Sequence, residues 1–295
     1  MKQIMIQPKR MKQKMNKTKG QIIKNVSDSY DVLVSDKIIT CKCRGKFRLE
    51  KLIPLVGDFV FIDEDKKIIE EILPRRNYII RPKVSNITKA FVVTSYIRPD
   101  FSTNLLDKLL VELEINNIEP VIIMTKKDLI DKDSYQKIKI ILDYYKKIGY
   151  KVIDNTNISK IKEELHGNTT TLMGQTGAGK STLLNKIFKD LNLKTNDISD
   201  ALGRGKHTTR HVEIIIKDDI KVIDTPGFSA LSFNDYTKYD VRDGFIEFKN
   251  ISCPFKDCMH IKENECNVIK EVENNNILKS RYENYKLFID EFERR

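Results

Sequence analysis

One run of eight residues carries the clearest chemistry in the chain. Gly174-Gln175-Thr176-Gly177-Ala178-Gly179-Lys180-Ser181 fits the pattern GxxxxGK[ST], in which glycines let a loop curl until successive backbone N–H groups face phosphate oxygens. An apolar strand pattern at 169–173 precedes it and a helical pattern at 181–188 follows, which is the setting a phosphate loop requires. Lys180 would bridge the β and γ phosphates of a nucleotide, and the Ser181 hydroxyl would ligate Mg²⁺. The helix N-terminus adds a favourable dipole.

Two further runs extend this site. Thr125-Lys126-Lys127-Asp128 closes an apolar strand, 120–124, and has the form [NT]KxD. A carboxylate at Asp128 can accept from both N1–H and the exocyclic amine of guanine. Adenine offers neither, and a site built on such bonds rejects the wrong base by about 10,000-fold. The stem of Lys126 would lie against the purine and the phosphate loop. Asp224-Thr225-Pro226-Gly227 follows the apolar strand 220–223. There Asp224 can hold Mg²⁺ through water while the Gly227 amide reaches the γ-phosphate. The implied ligands are GTP or GDP with Mg²⁺; a P-loop ATPase or kinase is the alternative, disfavoured by the TKKD run. In Ras-like GTPases the phosphate loop comes first and the base motif much later. Here Asp128 precedes Gly174 by 46 residues, so the order is circularly permuted. The segment after Gly227 leads straight into the next module, and loss of the γ-phosphate is expected to move that module through the chain.

A second centre lies downstream. Cys253-x₄-Cys258-x-His260-x₅-Cys266 offers three thiolates and an imidazole within 14 residues, a full tetrahedral set with no open position. One structural Zn²⁺ is expected, and a module this small should not fold without it. Five cysteines, an odd number, argue against a disulfide framework, and Cys41 and Cys43 read as core residues.

The charge is uneven. Of the net +11, seven Lys or Arg fall in residues 1–20 with no acid, leaving +4 for the rest. Such an arm is often disordered and often touches nucleic acid; it is also compatible with a true start at Met11 or Met15. From Cys41 to Leu49 apolar or small residues alternate with Lys42, Arg44, Lys46 and Arg48. On one strand these four cations would stand about 6.6–6.8 Å apart, near the phosphate repeat of an RNA strand. A solvated outer strand face would read the same way. No apolar run approaches the length needed to span a bilayer, and residues 4–6 are too short for a secretory signal, so a cytoplasmic protein without membrane contact is expected.

These residues need a scaffold, and three kinds of pattern supply it. Residues 19–75 read as five short strands (21–24, 30–35, 38–49, 57–63 and one near 67–72), which suggests an OB-type β-barrel. From about 85 strands alternate with helices: 89–95, a helix carrying Leu105, Leu106, Leu109, Leu110 and Leu113, then 120–124, a helix 133–148 closed by Gly149, 150–154, a helix near 159–165, and 169–173. A hairpin, 212–216 and 220–223, follows. The C-terminal part is short and polar and ends in a helix with Leu278, Tyr282, Tyr285, Ile289 and Phe292 on one face. The fold class is therefore multidomain α/β: a flexible tail (1–18), an N-terminal OB-type β-barrel (19–76), a circularly permuted Ras-like P-loop GTPase domain (77–232) and a C-terminal zinc-binding domain with a helix (233–295).

Over residues 19–292 the chain resembles the ribosome small-subunit-dependent GTPase A (RsgA) family, through TKKD, GQTGAGKST, GRGKHTT, DTPGF and the metal cluster. The resemblance adds Thr182 to the nucleotide set. It also implies that Gly203–Thr209 is the switch, in which one of Thr208 and Thr209 caps Mg²⁺. Phe228 stands where Ras relatives place a water-orienting Gln, so unassisted hydrolysis should be slow, and His207 is the implied catalytic residue once a partner orders the switch. The second base motif is replaced by Asn155-Thr156-Asn157. The family further implies a monomer acting on the small ribosomal subunit and its rRNA during maturation. A non-catalytic RNA-binding adaptor with GTP as a structural ligand is the other alternative.

Overall fold

The computed structural model describes residues 17–45, 47, 52–79, 83–190, 212–217, 219–224 and 233–294. Its first five strands are Lys17–Val26 (β1), Ser29–Val34 (β2), Lys37–Cys43 (β3), Phe59–Asp63 (β4) and Ile68–Ile72 (β5). They pair in the order β1-β2-β3-β5-β4, and β4 returns to β1, closing a barrel. Only β3 and β5 run parallel. Alternate residues fill the interior: Ile22, Val32, Cys41, Val60, Ile62 and Ile69 are wholly or almost wholly buried.

One expectation fails here. The strand that was to carry four cations to Leu49 stops at Cys43, where its pairing with β5 ends at Ile69. Beyond it the chain turns: the Phe47 N–H donates to Arg44 O (3.2 Å) and the Leu52 N–H to Phe47 O (2.9 Å). Phe47 is still buried, now from a helical turn. An alternating pattern that ends over a tight turn cannot be told from a strand by periodicity alone.

A short antiparallel pair, Tyr78–Ile79 (β6) with Val84–Ser85 (β7), occupies the connection to the second unit. Asp58, fully buried, anchors this junction by accepting from Arg75 Nε (2.7 Å), Ser85 Oγ (2.6 Å) and the Leu55 N–H (2.8 Å).

The second unit is a sheet of Lys89–Ser95 (β8), Glu119–Thr125 (β9), Lys151–Asp154 (β10), Thr169–Met173 (β11), Glu213–Lys217 (β12) and Ile220–Asp224 (β13). The order is β10-β9-β8-β11-β13-β12, parallel except for β12. Its helices are Thr103–Ile115 (α1), Lys132–Lys147 (α2), Ile158–Leu165 (α3) and Lys180–Asp190 (α4). Central strands read as unbroken apolar runs because both faces are covered. Phe91, Val93, Val121 and Ile123 meet Ile161, Leu165 and Ile187 of α3 and α4 on one side. Ala90, Val92 and Ile122 meet Leu106, Leu109, Leu110 and Leu142 of α1 and α2 on the other. Barrel and sheet join through β1 and β12, where Lys24 faces Glu213 in register and their side chains pair at 2.9 Å.

The C-terminal part contains Lys238–Asp243 (α5), Asn267–Glu273 (α6) and Lys279–Glu293 (α7). Its apolar core of Phe233, Phe245, Phe248, Tyr285 and Phe288 takes in Val111 from α1. Under that core lies Arg281, with no exposed surface, its guanidinium held by Glu247 (Nε to Oε1 2.5 Å, Nη2 to Oε2 3.0 Å) and by Asp107 of α1 (2.6 Å). No described helix is long and apolar enough to cross a membrane.

Candidate functional site

The phosphate loop leaves β11 at Met173 and enters α4 at Lys180. Its path depends on glycine at Gly174, where φ is +135° and an added Cβ would stand 2.0 Å from Val93 O. Ala178 is buried; Gln175, Thr176 and Gly177 are exposed at the tip, and Gly179 is half-buried. Lys180 Nζ donates to the carbonyls of Gly174 (2.6 Å) and Gln175 (2.9 Å). Burial holds the Lys180 amine below the usual lysine range. A half-buried cation whose partners among the described residues are carbonyls is poised for an anion. Ser181 and Thr182 are exposed in the first turn of α4.

The base-motif loop leaves β9, two strands away. The Thr125 hydroxyl donates to Ala178 O (2.7 Å), and Lys126, in the left-handed region at φ +60°, donates from Nζ to Gly177 O (2.8 Å) and to Arg98 O. Two loops read in reversed order along the sequence therefore touch through side-chain-to-backbone bonds. Asp128 is exposed on a 3₁₀ turn, Lys127–Leu129, and the Lys127 ammonium lies 4.9 Å from the centre of the Tyr135 ring. At the end of β10, Asp154 accepts from the Thr156 N–H (3.0 Å) and hydroxyl (2.7 Å), Asn157 caps α3, and the Asn155 N–H donates to Met124 O (2.9 Å). The loops after β11, β8, β9 and β10 thus open together at the carboxyl ends of parallel strands. β8 and β11 are neighbours at the point where the strand order reverses, where open α/β sheets bind ligands.

Sequence reasoning missed the loop after β8. Pro99 lies 3.6 Å from where a Gly177 Cβ would be, and Arg98 O receives the Lys126 ammonium. Nothing in the short run Arg98-Pro99-Asp100 signals that contact. The structure brings Thr125, Lys126 and the phosphate loop together. β13 ends at Asp224, but the Asp224 side chain, Gly227, His207, Thr208 and Thr209 fall outside the described residues. Of the four expected RNA-facing cations, Lys42 is exposed on β3 and Arg44, past its end, pairs with the buried Glu70 (2.5 Å); Lys46 and Arg48 lie outside the described residues.

The ligand atoms of Cys253, Cys258, His260 and Cys266 lie within 4.8 Å of one another. Cys253 Sγ is 3.8 Å from Cys266 Sγ, and His260 Nδ1 is 3.5 and 3.4 Å from those two sulfurs. Tetrahedral bonds of ~2.3 Å to sulfur and ~2.0–2.1 Å to nitrogen give edges of ~3.8 and ~3.6 Å, so the donor set fits zinc. Burial, with Arg242 nearby, holds His260 below the usual imidazole range and favours the neutral ring a metal needs. The Phe248 ring backs His260 at 5.4 Å, and the Tyr282 hydroxyl fixes His260 O at 2.8 Å. Phe288, Asn284 and Arg281 also face inward from α7, beside the face expected from Tyr282, Tyr285 and Ile289.

A mostly parallel sheet in which the base loop precedes the phosphate loop, both opening on one crevice, defines a circularly permuted P-loop GTPase. The chain matches the RsgA GTPase domain over residues 72–234 and the RsgA N-terminal domain over 19–68. It is 46% identical over 285 residues to the small ribosomal subunit biogenesis GTPase RsgA of Enterococcus faecalis, covering 94% of this chain and 96% of that one. It is 44% identical to the protein of that name from Bacillus subtilis, covering 94% and 98%. Among solved structures, YjeQ from Thermotoga maritima aligns with a TM-score of 0.82 at 35% identity, covering 95% of this chain and 99% of that one. YloQ, described as a circularly permuted GTPase, aligns at 0.79 and 36%, covering 97% and 98%. The chain belongs to the RsgA GTPase family.

Proposed function

We propose that this GTPase binds the small ribosomal subunit and its rRNA and hydrolyses GTP during that subunit's late maturation. The observation that carries the reading is near full-length similarity, at 42–46% identity, to proteins named for small ribosomal subunit biogenesis. The contact between Thr125, Lys126 and the phosphate loop supports one nucleotide shared by both motifs. In this reading Asp128 accepts from the guanine edge, and the stem of Lys126 covers the purine. The amides of Gly174–Gly179 and the Lys180 ammonium hold the β and γ phosphates. Ser181 and one of Thr208 and Thr209, with Asp224 acting through water, would hold Mg²⁺, which would supply charge neutralisation at the phosphates. Thr182 and the Gly227 amide complete the set.

Phe228 cannot orient water, so turnover alone is slow, on the order of 10⁻⁴ s⁻¹. His207 supplies that function when the subunit orders the switch. The zinc is structural. We divide the chain at 18, 76 and 232 into a basic tail, an RNA-binding barrel, the GTPase domain and the zinc domain. The protein acts as a monomer in the cytoplasm. Lys42 and Arg44 belong to the RNA-facing side of the barrel with Lys46 and Arg48, although no single strand carries all four. The test is hydrolysis of GTP and of ATP with and without purified small subunits. The proposal expects GTP hydrolysis alone to be stimulated, and His207→Ala to abolish the stimulation with GTP affinity retained. Equal ATP turnover, or no response to subunits, would overturn it.

A further inference from the structure

β1 serves two neighbours in turn. Over Lys17–Gln21 it pairs with β4 inside the barrel, and at Lys24 it pairs with β12 of the second unit. The change of partner falls on a register shift between Ile22 and Lys24, a bulge of the kind that bends a strand and re-aims it. Ile22 and Ile23 are both buried there, and Ile23 shares an apolar core with Ile214 of β12 and Ile223 of β13. Two polar contacts frame that core. Lys24 Nζ pairs with Glu213 at 2.9 Å, and Lys221 Nζ donates to Oε1 of the buried Gln21 at 2.8 Å. Asp31, opposite Lys24 on β2, accepts from the Thr40 hydroxyl instead (2.7 Å).

What β1 holds in this way is the hairpin of β12 and β13. Along the sequence Glu213 follows Thr209 by four residues, and in the β12–β13 ladder it stands directly opposite Asp224. Directly opposite residues of an antiparallel pair have Cα atoms only about 4.5–5.5 Å apart. A shift of Glu213 therefore moves the backbone that presents Asp224, together with the chain that follows the switch. The side chains of Lys24 and Glu213 are 35% and 27% exposed, so water reaches the pair. As a plain tie between two units it is worth at most about fivefold in an equilibrium. Its leverage comes from its place in the ladder.

We propose that Lys24 is a positioning residue for GTP hydrolysis: from the barrel it fixes Glu213, and through Glu213 the strand end that carries Asp224. A partner that engages the barrel then acts on the hydrolytic site across this pair. The inference rests on the function proposed above, and its test separates the two. In the full-length protein, Lys24→Glu sets like charges against each other and should lower hydrolysis at saturating small subunits about tenfold. GDP affinity and the subunit concentration at half-saturation should stay within about twofold of wild type, and Lys24→Arg should keep the wild-type rate. Adding Glu213→Gln to Lys24→Glu removes the repulsion and should recover about threefold or more. A Lys24 that touched the partner directly would gain nothing from that second change. Without subunits, amide hydrogen exchange in residues 213–217 and 220–224 should quicken in Lys24→Glu and slow again in the double variant. An unchanged stimulated rate, a loss with no recovery, or a loss matched by weaker subunit binding would overturn this proposal and leave the proposed function standing. A wild-type chain that does not respond to small subunits would overturn both.

Discussion

Replacing Arg281 by Met leaves the side-chain volume nearly unchanged and removes the charge from the contact between α7 and α1. In the native protein that guanidinium satisfies two carboxylates at once: Glu247, by two bonds, and Asp107, which also accepts from Tyr145 (2.5 Å) and Asn284 (2.7 Å). Both Arg281 and Asp107 have no exposed surface. Breaking a buried pair by removing one partner costs about 3–5 kcal/mol, because the remaining charge is stranded. For a cooperative unit of this size that lowers Tm by about 6–20 °C. Burial already pushes the Asp107 carboxyl above its usual range, with Arg281 opposing the shift. Without Arg281 the shift grows, so the variant's deficit should be smallest at low pH, where the carboxyls are neutral, and should widen as pH rises. Thermal melts followed by circular dichroism across pH would record both effects. Lys279→Ala, which removes an 80% exposed partner 3.9 Å from Glu283, is the control and should change nothing measurable. A loss below about 1 kcal/mol for Arg281→Met, or a deficit that is flat with pH, would refute the reasoning.

Three further outcomes follow from other contacts. Thr125→Val removes the hydroxyl that bonds Ala178 O and leaves a buried carbonyl unpaired, so stability should fall by about 1–3 kcal/mol and nucleotide affinity should weaken, as read by melts and by titration with a fluorescent GDP. Stripping zinc with a strong chelator should unfold the module around Cys253–Cys266 and leave GDP binding in place; a module that keeps its near-ultraviolet signal without metal would contradict a structural role. Burial raises the Glu112 carboxyl from 4.5 to about 7, with Lys108 opposing. Its favourable contribution is therefore full below about pH 4.5 and lost as pH rises through about 7, and Glu112→Gln should remove up to about 3 kcal/mol of that slope in denaturant titrations.

Much of the scaffold was legible because local physics fixes it. The unbroken apolar runs of β8 and β11 have one stable home, a sheet covered on both faces. Gly149, at φ +111°, sits one residue beyond the C-cap of α2, and β12 and β13 turn where the polar residues 217–219 predicted a hairpin. The gathering of Cys253, Cys258, His260 and Cys266 into one cluster was readable because their chemistry and spacing leave little else for them to do. What was not legible depends on distant partners. Arg44 pairs with a buried glutamate on β5, a contact that its place in an alternating run of cations does not announce. Arg281 sat unnoticed among polar residues of the last helix, because its burial is decided by Asp107, 174 residues away. The C-terminal part packs on α1 through Val111, and in the loop before α1 the Arg98 carbonyl receives the Lys126 ammonium.

The proposed function requires a single guanine nucleotide lying between Asp128 and the phosphate loop. Binding of GTP and of xanthosine triphosphate should be measured for the wild-type chain and for Asp128→Asn. An asparagine amide can donate to the xanthine oxygen that replaces the guanine amine, so the variant should lose GTP affinity by 100-fold or more, on the order expected for an unpaired buried polar group, and prefer xanthosine triphosphate. GTP affinity that survives Asp128→Asn unchanged, while Lys180→Ala abolishes it, would mean that the base is read elsewhere and the two motifs do not share a ligand.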